Sequence, residues 1–323
     1  MKTSEKIVKY IKSNKQATVH ELVSYLGISR MAVSKQVNNL LIEGALIKIG
    51  KPPKVFYLIA EKKPKVASFE ISKAVSNVIS ENFLLITPSG QRKEGVDGFV
   101  YWCQKTDQPI GKTSEEYVKT LEKYAAFKEN GLIDGIEKFR STFGEVCLSH
   151  VYFLDFYSIE RFGKTKLGQL LLYAKQSQNK KLMKELAFDI KPRVDQIIKK
   201  HKIDGIGFIP PTVKREVQFM KELEKNLHPA VRKISIVKIK TEISVPQKTL
   251  NKLEDRIENA RKTIIVDEKS VFENILLIDD AVGSGATLNE TALQIKSRGI
   301  CKGKIIGLSI TGSFKGFDVI SEV

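Results

Sequence analysis

Two adjacent carboxylates, Asp279 and Asp280, end the apolar run Ile275-Leu-Leu-Ile278. A stretch of small residues follows, Ala281-Val-Gly-Ser-Gly-Ala286, and then Thr287 opens a helical pattern. Each residue type here suits one part of a phosphorylated sugar. Carboxylates accept hydrogen bonds from neutral donors such as sugar hydroxyls. A small-residue loop at the carboxyl end of a strand offers converging backbone N–H groups, and the next helix adds its positive end. Gly283 and Gly285 let an anion approach the backbone closely. Ser284 and Thr287 add hydroxyl donors, and Val282 and Ala286 complete the loop. A Walker-type loop is excluded, because no Gly-Lys-Ser/Thr triplet follows.

The elements that must position this run alternate. Helical periodicity is expected over 179–200, 213–227 and 249–262 and from Thr287 onward. Apolar strand patterns are expected at 205–209, 234–239, 274–279 and 304–310. Alternation of this kind predicts an α/β domain: a mainly parallel sheet with flanking helices, in which Asp279 and Asp280 stand at a strand's carboxyl end.

The run ILLIDDAVGSGATL resembles the phosphoribosyl-pyrophosphate (PRPP) motif of type I phosphoribosyltransferases. That resemblance implies that Asp279 and Asp280 bind the ribose 2′- and 3′-hydroxyls and are the catalytic candidates. It also implies that Val282, Gly283, Ser284, Gly285, Ala286 and Thr287 bind the 5′-phosphate, and that Mg²⁺ accompanies PRPP on its pyrophosphate oxygens. Three further stretches are similar to the competence-protein ComF group: Phe156-Tyr157 through Leu167–Lys175; Ile209-Pro-Pro-Thr-Val-Lys-Arg-Glu-Val-Gln218; and Pro246-Gln-Lys-Thr-Leu250 with Arg256 and Asn259. The resemblance covers about 150–323. Lys214 and Arg215 follow the Pro210-Pro211 turn, where this fold often binds pyrophosphate. Lys240 and Lys248 flank a polar stretch, 241–249, read as a hood loop; each of these cations is read equally well as solvated surface charge. The chain departs from the group in three ways. Gly283-Ser284 replaces a usual Thr pair, the proline-rich stretch is short, and no amino-terminal zinc module is present.

The first fifth of the chain carries a different chemistry. Ile7, Val8 and Ile11 mark a first helix. Thr18 and Glu21 fit a capping box before Leu22, Val23 and Leu26. Ser29 caps a third helix, in which Val33, Val37, Leu40 and Leu41 share one face. The opposite face bears Arg30, Met31, Ser34, Lys35 and Asn38, suited to bases and phosphates in a major groove. Two short strands then flank a Lys-Pro-Pro-Lys tip, with Lys48, Lys51 and Lys54 placed for phosphate contact. The stretch LGISRMAVSKQVNNLLIEGALI resembles the winged helix-turn-helix of bacterial repressors. Winged helices also serve as protein-docking modules, but this basic face favours nucleic acid.

Composition bounds these readings. The 323 residues carry 54 Lys+Arg against 37 Asp+Glu, a net charge of +17, which points to polyanionic partners. Residues 1–65 hold +9 of that charge, 66–145 hold −2 and 146–323 hold +10. Hydrophobic content of 42% is enough for packed cores and argues against wholesale disorder. No window approaches about 18 uninterrupted apolar residues, and MKTSEKIVKY lacks a signal peptide's apolar core, so a cytoplasmic protein with no membrane partner is expected. The three cysteines and four histidines are scattered, which argues against a zinc site.

Three segments follow: a winged helix-turn-helix over 1–62, a linker and mixed α/β middle segment over 63–148, and a phosphoribosyltransferase-like domain over 149–323. In the middle segment, a helix is expected around Ile71–Ile79, a strand at Phe83–Ile86 and helices over 114–130 and 132–143. The Gly-containing stretch from Gln91 to Thr113 reads as an irregular loop or a small strand pair, with Trp102 as a packing residue. The favoured function is a ligand-responsive regulator that binds duplex DNA or other nucleic acid and senses PRPP or a phosphoribosyl nucleotide. The purine repressor of Gram-positive bacteria combines these two domain types. The alternative is an active Mg²⁺-dependent phosphoribosyltransferase or nucleotide-ribose enzyme gated by the winged helix, for example an effector in a retron-type anti-phage cassette. Whether the domain turns over its ligand, and whether the chain forms a homodimer, stay open at this level.

Overall fold

The computed structural model describes residues 1–60, 71–211, 213, 215–239, 242–243 and 245–313. The chain divides into two units, Met1–Phe69 and Glu70–Val323.

The first unit has three helices, α1 (Thr3–Asn14), α2 (Val19–Leu26) and α3 (Arg30–Ile42). A hairpin follows, β1 (Leu46–Lys51) and β2 (Lys54–Ile59), paired antiparallel from Leu46↔Ile59 to Lys51↔Lys54. Local chemistry sets the boundaries. The Thr18 hydroxyl accepts from the Glu21 amide at 3.2 Å, and the Glu21 carboxylate accepts from the Thr18 amide at 2.6 Å. Gly27 ends α2 in the left-handed conformation, and the Ser29 hydroxyl accepts from the Ala32 amide at 3.3 Å. Ile7, Ile11, Leu22, Val33, Val37 and Leu40 from the helices meet Leu46 and Tyr57 from the hairpin in one core.

The second unit begins with α4 (Lys73–Asn82), β3 (Leu84–Ile86), β4 (Arg92–Glu94), α5 (Gly95–Lys105), α6 (Ile110–Ala125), β5 (Ile133–Asp134) and α7 (Ile136–Thr142). It continues with β6 (His150–Phe156), β7 (Ser158–Ile159), β8 (Gly163–Lys164), α8 (Lys166–Gln176), α9 (Lys180–Lys200), β9 (Gly205–Phe208), α10 (Phe219–Leu227) and β10 (Arg232–Lys233). Next come β11 (Ile236–Lys238), α11 (Leu253–Thr263), β12 (Ile264–Val266), β13 (Ile275–Val282), α12 (Ala286–Ser297) and β14 (Ile305–Gly312).

Six strands form the main sheet in the order β10-β9-β13-β14-β6-β5, all parallel except β5 at one edge. This is a mixed α/β fold around a mostly parallel sheet. Both faces are covered. Leu276 and Ile278 share a core with Leu171, Met183, Leu186 and Leu223 from α8, α9 and α10. Ile275 and Leu277 point to the other core, which holds Leu288, Ala292 and Ile295 of α12 together with Ile133 and Phe139. Burial on both faces is why Ile275–Ile278 is a continuous apolar run instead of an alternating one.

Ile133 and Phe139 lie within 63–148, and β5 is an edge of the main sheet, so this part of the middle segment belongs to the same core as the carboxy-terminal strands. Three expectations are corrected. The stretch from Gln91 is not a loop or strand pair throughout, because residues 95–105 form α5. Gly95 and Gly98 suppress its helical signature but are needed where they stand. Gly95 has φ +56, and a Cβ on Gly98 would lie 2.8 Å from the Lys93 carbonyl oxygen. The strand expected at 234–239 is confined to β11, which lies outside the main sheet and pairs antiparallel with β12. Its residues are only half-buried or exposed, unlike the fully buried β9 and β14. The helix expected over 213–227 begins only at Phe219. Among the described residues, no helix is long and apolar enough to cross a membrane.

Candidate functional site

The sheet's connectivity creates a crevice before any side chain is considered. From β9 the chain crosses through α10 to β10, toward one edge. From β13 it crosses through α12 to β14, in the opposite direction. The reversal lies between β9 and β13, and ligands of open α/β sheets bind at the carboxyl ends of strands at such a point. The register deepens the gap. Pairing of β9 with β13 stops at Phe208↔Ile278, whereas β13 stays paired with β14 as far as Val282↔Gly312. Pro210 and Pro211, which have no N–H for the ladder, follow directly after Ile209. Asp279 and Asp280 therefore stand beyond the last paired residue of β9.

A cavity of about 220 Å³ opens there, lined by Ile209–Pro211, Lys175, Arg215, Arg256 and the run Asp279–Thr287. The two acids are partly exposed. The Asp280 amide donates to Asp279 Oδ1 at 2.8 Å, and Lys175 Nζ lies 2.8 Å from Asp280 Oδ2. Burial, and then the neighbouring Asp280 charge, push the Asp279 carboxyl up to about 7; its bond to the Asp280 amide and the Lys175 ammonium oppose that rise.

Within the loop, Ser284 is buried, and its hydroxyl accepts from the Ala286 amide at 3.3 Å. Gly285 caps α12 at φ +82, and a Cβ there would collide with the Phe139 ring. Position 285 thus requires glycine both for its backbone conformation and for the space beside α7. Val282 and Ala286 are 1% exposed, so their side chains belong to the core and only their backbones face the cavity. Gly283 and Thr287 are half-buried at its wall. The arrangement combines two carboxylates, a lysine ammonium and the amino-terminal end of α12 around one volume. It can accept hydroxyl donors on one side and an anion on the other.

Arg215 reaches the cavity wall, but its Nη1 donates to the Lys175 carbonyl oxygen, and its own carbonyl accepts from Gln218 Nε2 at 3.0 Å. Lys214 and Lys240 lie outside the described residues, as does the side chain of Lys248. Lys175, Gln247 and Arg256 also line the cavity, and none of the three is a site candidate on the sequence alone. In the sequence they stand only within the stretches that resemble the ComF group, and nothing in their local spacing points to a shared cavity.

In the first unit, Arg30, Met31, Lys35 and Asn38 are exposed on α3 and Ser34 is half-buried, opposite the buried Val33, Val37 and Leu40. Lys48, Lys51 and Lys54 are exposed on the hairpin, the last two paired across its two-residue tip. Met31 is 83% exposed and takes no part in the core. The face carries cations and hydrogen-bonding groups without a carboxylate among its named residues.

No protein-family model matches the sequence, and no curated protein matches it.

Proposed function

We propose that the chain is a ligand-responsive, nucleic-acid-binding regulator whose second unit binds PRPP or a phosphoribosyl nucleotide. The observation that carries this reading is the Asp279–Asp280 pair at the carboxyl end of β13, next to the loop that opens α12, in the crevice between β9 and β13. The acids take the ribose hydroxyls, and the Gly283–Thr287 backbone with the Ser284 and Thr287 hydroxyls takes the 5′-phosphate. In this reading the second unit is type I phosphoribosyltransferase-like. The first unit is a winged helix, with α3 as its recognition helix and β1–β2 as its wing. The order of three helices and a hairpin, and the exposed cations on both elements, support that assignment.

Mg²⁺ enters with the ligand. Among the described residues, no group of three His, Cys, Asp or Glu side chains is placed to hold a metal. The ligand's own hard pyrophosphate oxygens, not the two acids that take the ribose hydroxyls, would hold the ion. Bound in that way, Mg²⁺ would neutralise charge on a departing pyrophosphate.

A second reading, an active transferase gated by the first unit, uses the same site. Lys175, 2.8 Å from Asp280, holds that carboxylate in place for a ribose hydroxyl in either reading. Calorimetry with PRPP and Mg²⁺, followed by a pyrophosphate-release assay against a panel of bases, separates the two. Binding without release across the panel supports the regulator. Release with any base replaces it with the enzyme. Absence of binding removes both.

A further inference from the structure

We infer that Arg256 is a specificity residue of this cavity, a buried guanidinium that selects ligands carrying a 5-phosphate on the pentose. The inference rests on the phosphoribosyl reading above. Arg256 lies on α11 and is 5% exposed, yet it lines the cavity. Its Nε donates to the Leu250 carbonyl at 2.8 Å, which fixes the direction of the side chain. Its backbone carbonyl accepts from Gln247 Nε2 at 3.0 Å, which ties α11 to the turn before it. Its Nη2 is buried without any partner, and among the described residues no carboxylate pairs with it.

A buried guanidinium with an idle donor is costly to the unliganded fold. An anion is the group that would satisfy it, and planar guanidinium is the side chain best matched to phosphate. Its position names which phosphate. A Cβ built on Gly283 would lie 3.7 Å from Arg256 Nη1, so the guanidinium borders the loop at the start of α12. A phosphate held by the Gly283–Thr287 backbone is therefore within reach of Arg256. The pyrophosphate arm of the same ligand would extend instead toward the Pro210-Pro211 turn.

Calorimetric titrations with PRPP, ribose 5-phosphate and Mg²⁺-pyrophosphate test this on the full chain, for the parent and for Arg256→Met and Arg256→Lys. Melting curves accompany each variant to verify the fold. Arg256→Met is expected to weaken PRPP and ribose 5-phosphate roughly tenfold or more, with Arg256→Lys intermediate and pyrophosphate unchanged within about twofold. Unchanged PRPP affinity overturns the inference. So does weakening confined to pyrophosphate, or an equal loss of all three ligands, which marks a purely structural arginine. A parent protein that binds neither PRPP nor ribose 5-phosphate overturns the phosphoribosyl reading itself, and the inference falls with it.

Discussion

Lys175 Nζ stands 2.8 Å from Asp280 Oδ2, joining the end of α8 to the carboxyl-terminal part of β13. Both side chains are about four-fifths buried, at 16% and 18% exposure. The pair is less screened by solvent than a surface ion pair, and breaking it from one side leaves a carboxylate poorly compensated. Asp280 also neighbours Asp279, so the Lys175 ammonium acts on both acids.

Lys175→Met is accordingly expected to destabilise the second unit by about 1–3 kcal/mol in urea unfolding at pH 8. The loss should shrink as the acids become protonated at low pH. A variant as stable as the parent at pH 8 would show that the ammonium contributes nothing to the site.

Asp279 gives the complementary pH dependence. Its carboxyl titrates at about 7 in the folded chain, above the ordinary value near 3.9. Ionisation therefore costs folding free energy. The cost is absent below the unfolded value, grows between the two and is complete above about 7. Asp279→Asn removes it. The variant should melt above the parent at pH 8, by about 2–4 °C for each kcal/mol of that cost, and at the parent's temperature near pH 4. A difference independent of pH would contradict the assignment.

Two loop glycines should behave differently. Gly285→Ala forces a side chain into positive φ and against Phe139, and about 2 kcal/mol or more of stability should be lost in chemical unfolding. Gly283→Ala meets only Arg256 Nη1, at ordinary contact distance, and should cost less than about 1 kcal/mol. Equal losses would mean that the loop geometry is misassigned.

Much of this site was legible in the sequence because its determinants are local. The apolar run, the acids and the small-residue loop are contiguous, and the strand–loop–helix order follows from their periodicity. The α3 face was legible for the same reason, since Val33, Val37 and Leu40 fix which side is buried. What was not legible depends on distant pairings. Lys175 meets Asp280 only because α8 returns along the sheet. Arg256 enters the cavity only because α11 and the Gln247–Thr249 turn fold beside Gly283. His150 and His201, scattered in the sequence, bring their rings to 5.3 Å. Helix α5 was obscured by the glycines that let it approach the Lys93 backbone. β11 was read into the main sheet because a short apolar run does not reveal its pairing partner.

For the first unit, duplex DNA affinity should fall steeply with salt. Arg30→Ala/Lys35→Ala should weaken binding by about tenfold or more in fluorescence anisotropy. Lys51→Ala/Lys54→Ala should weaken all sequences alike and reduce the log–log salt slope by roughly 2. Parent-like binding by the α3 double variant would remove that helix from the interface.

The central claim is that Asp279, Asp280 and the loop behind them form a phosphoribosyl site, and the most direct test is calorimetry with PRPP and Mg²⁺. Saturable binding by the parent chain, lost in a folded Asp279→Asn/Asp280→Asn variant, is the result predicted here. No binding by the parent, or equal binding by the variant, would contradict it.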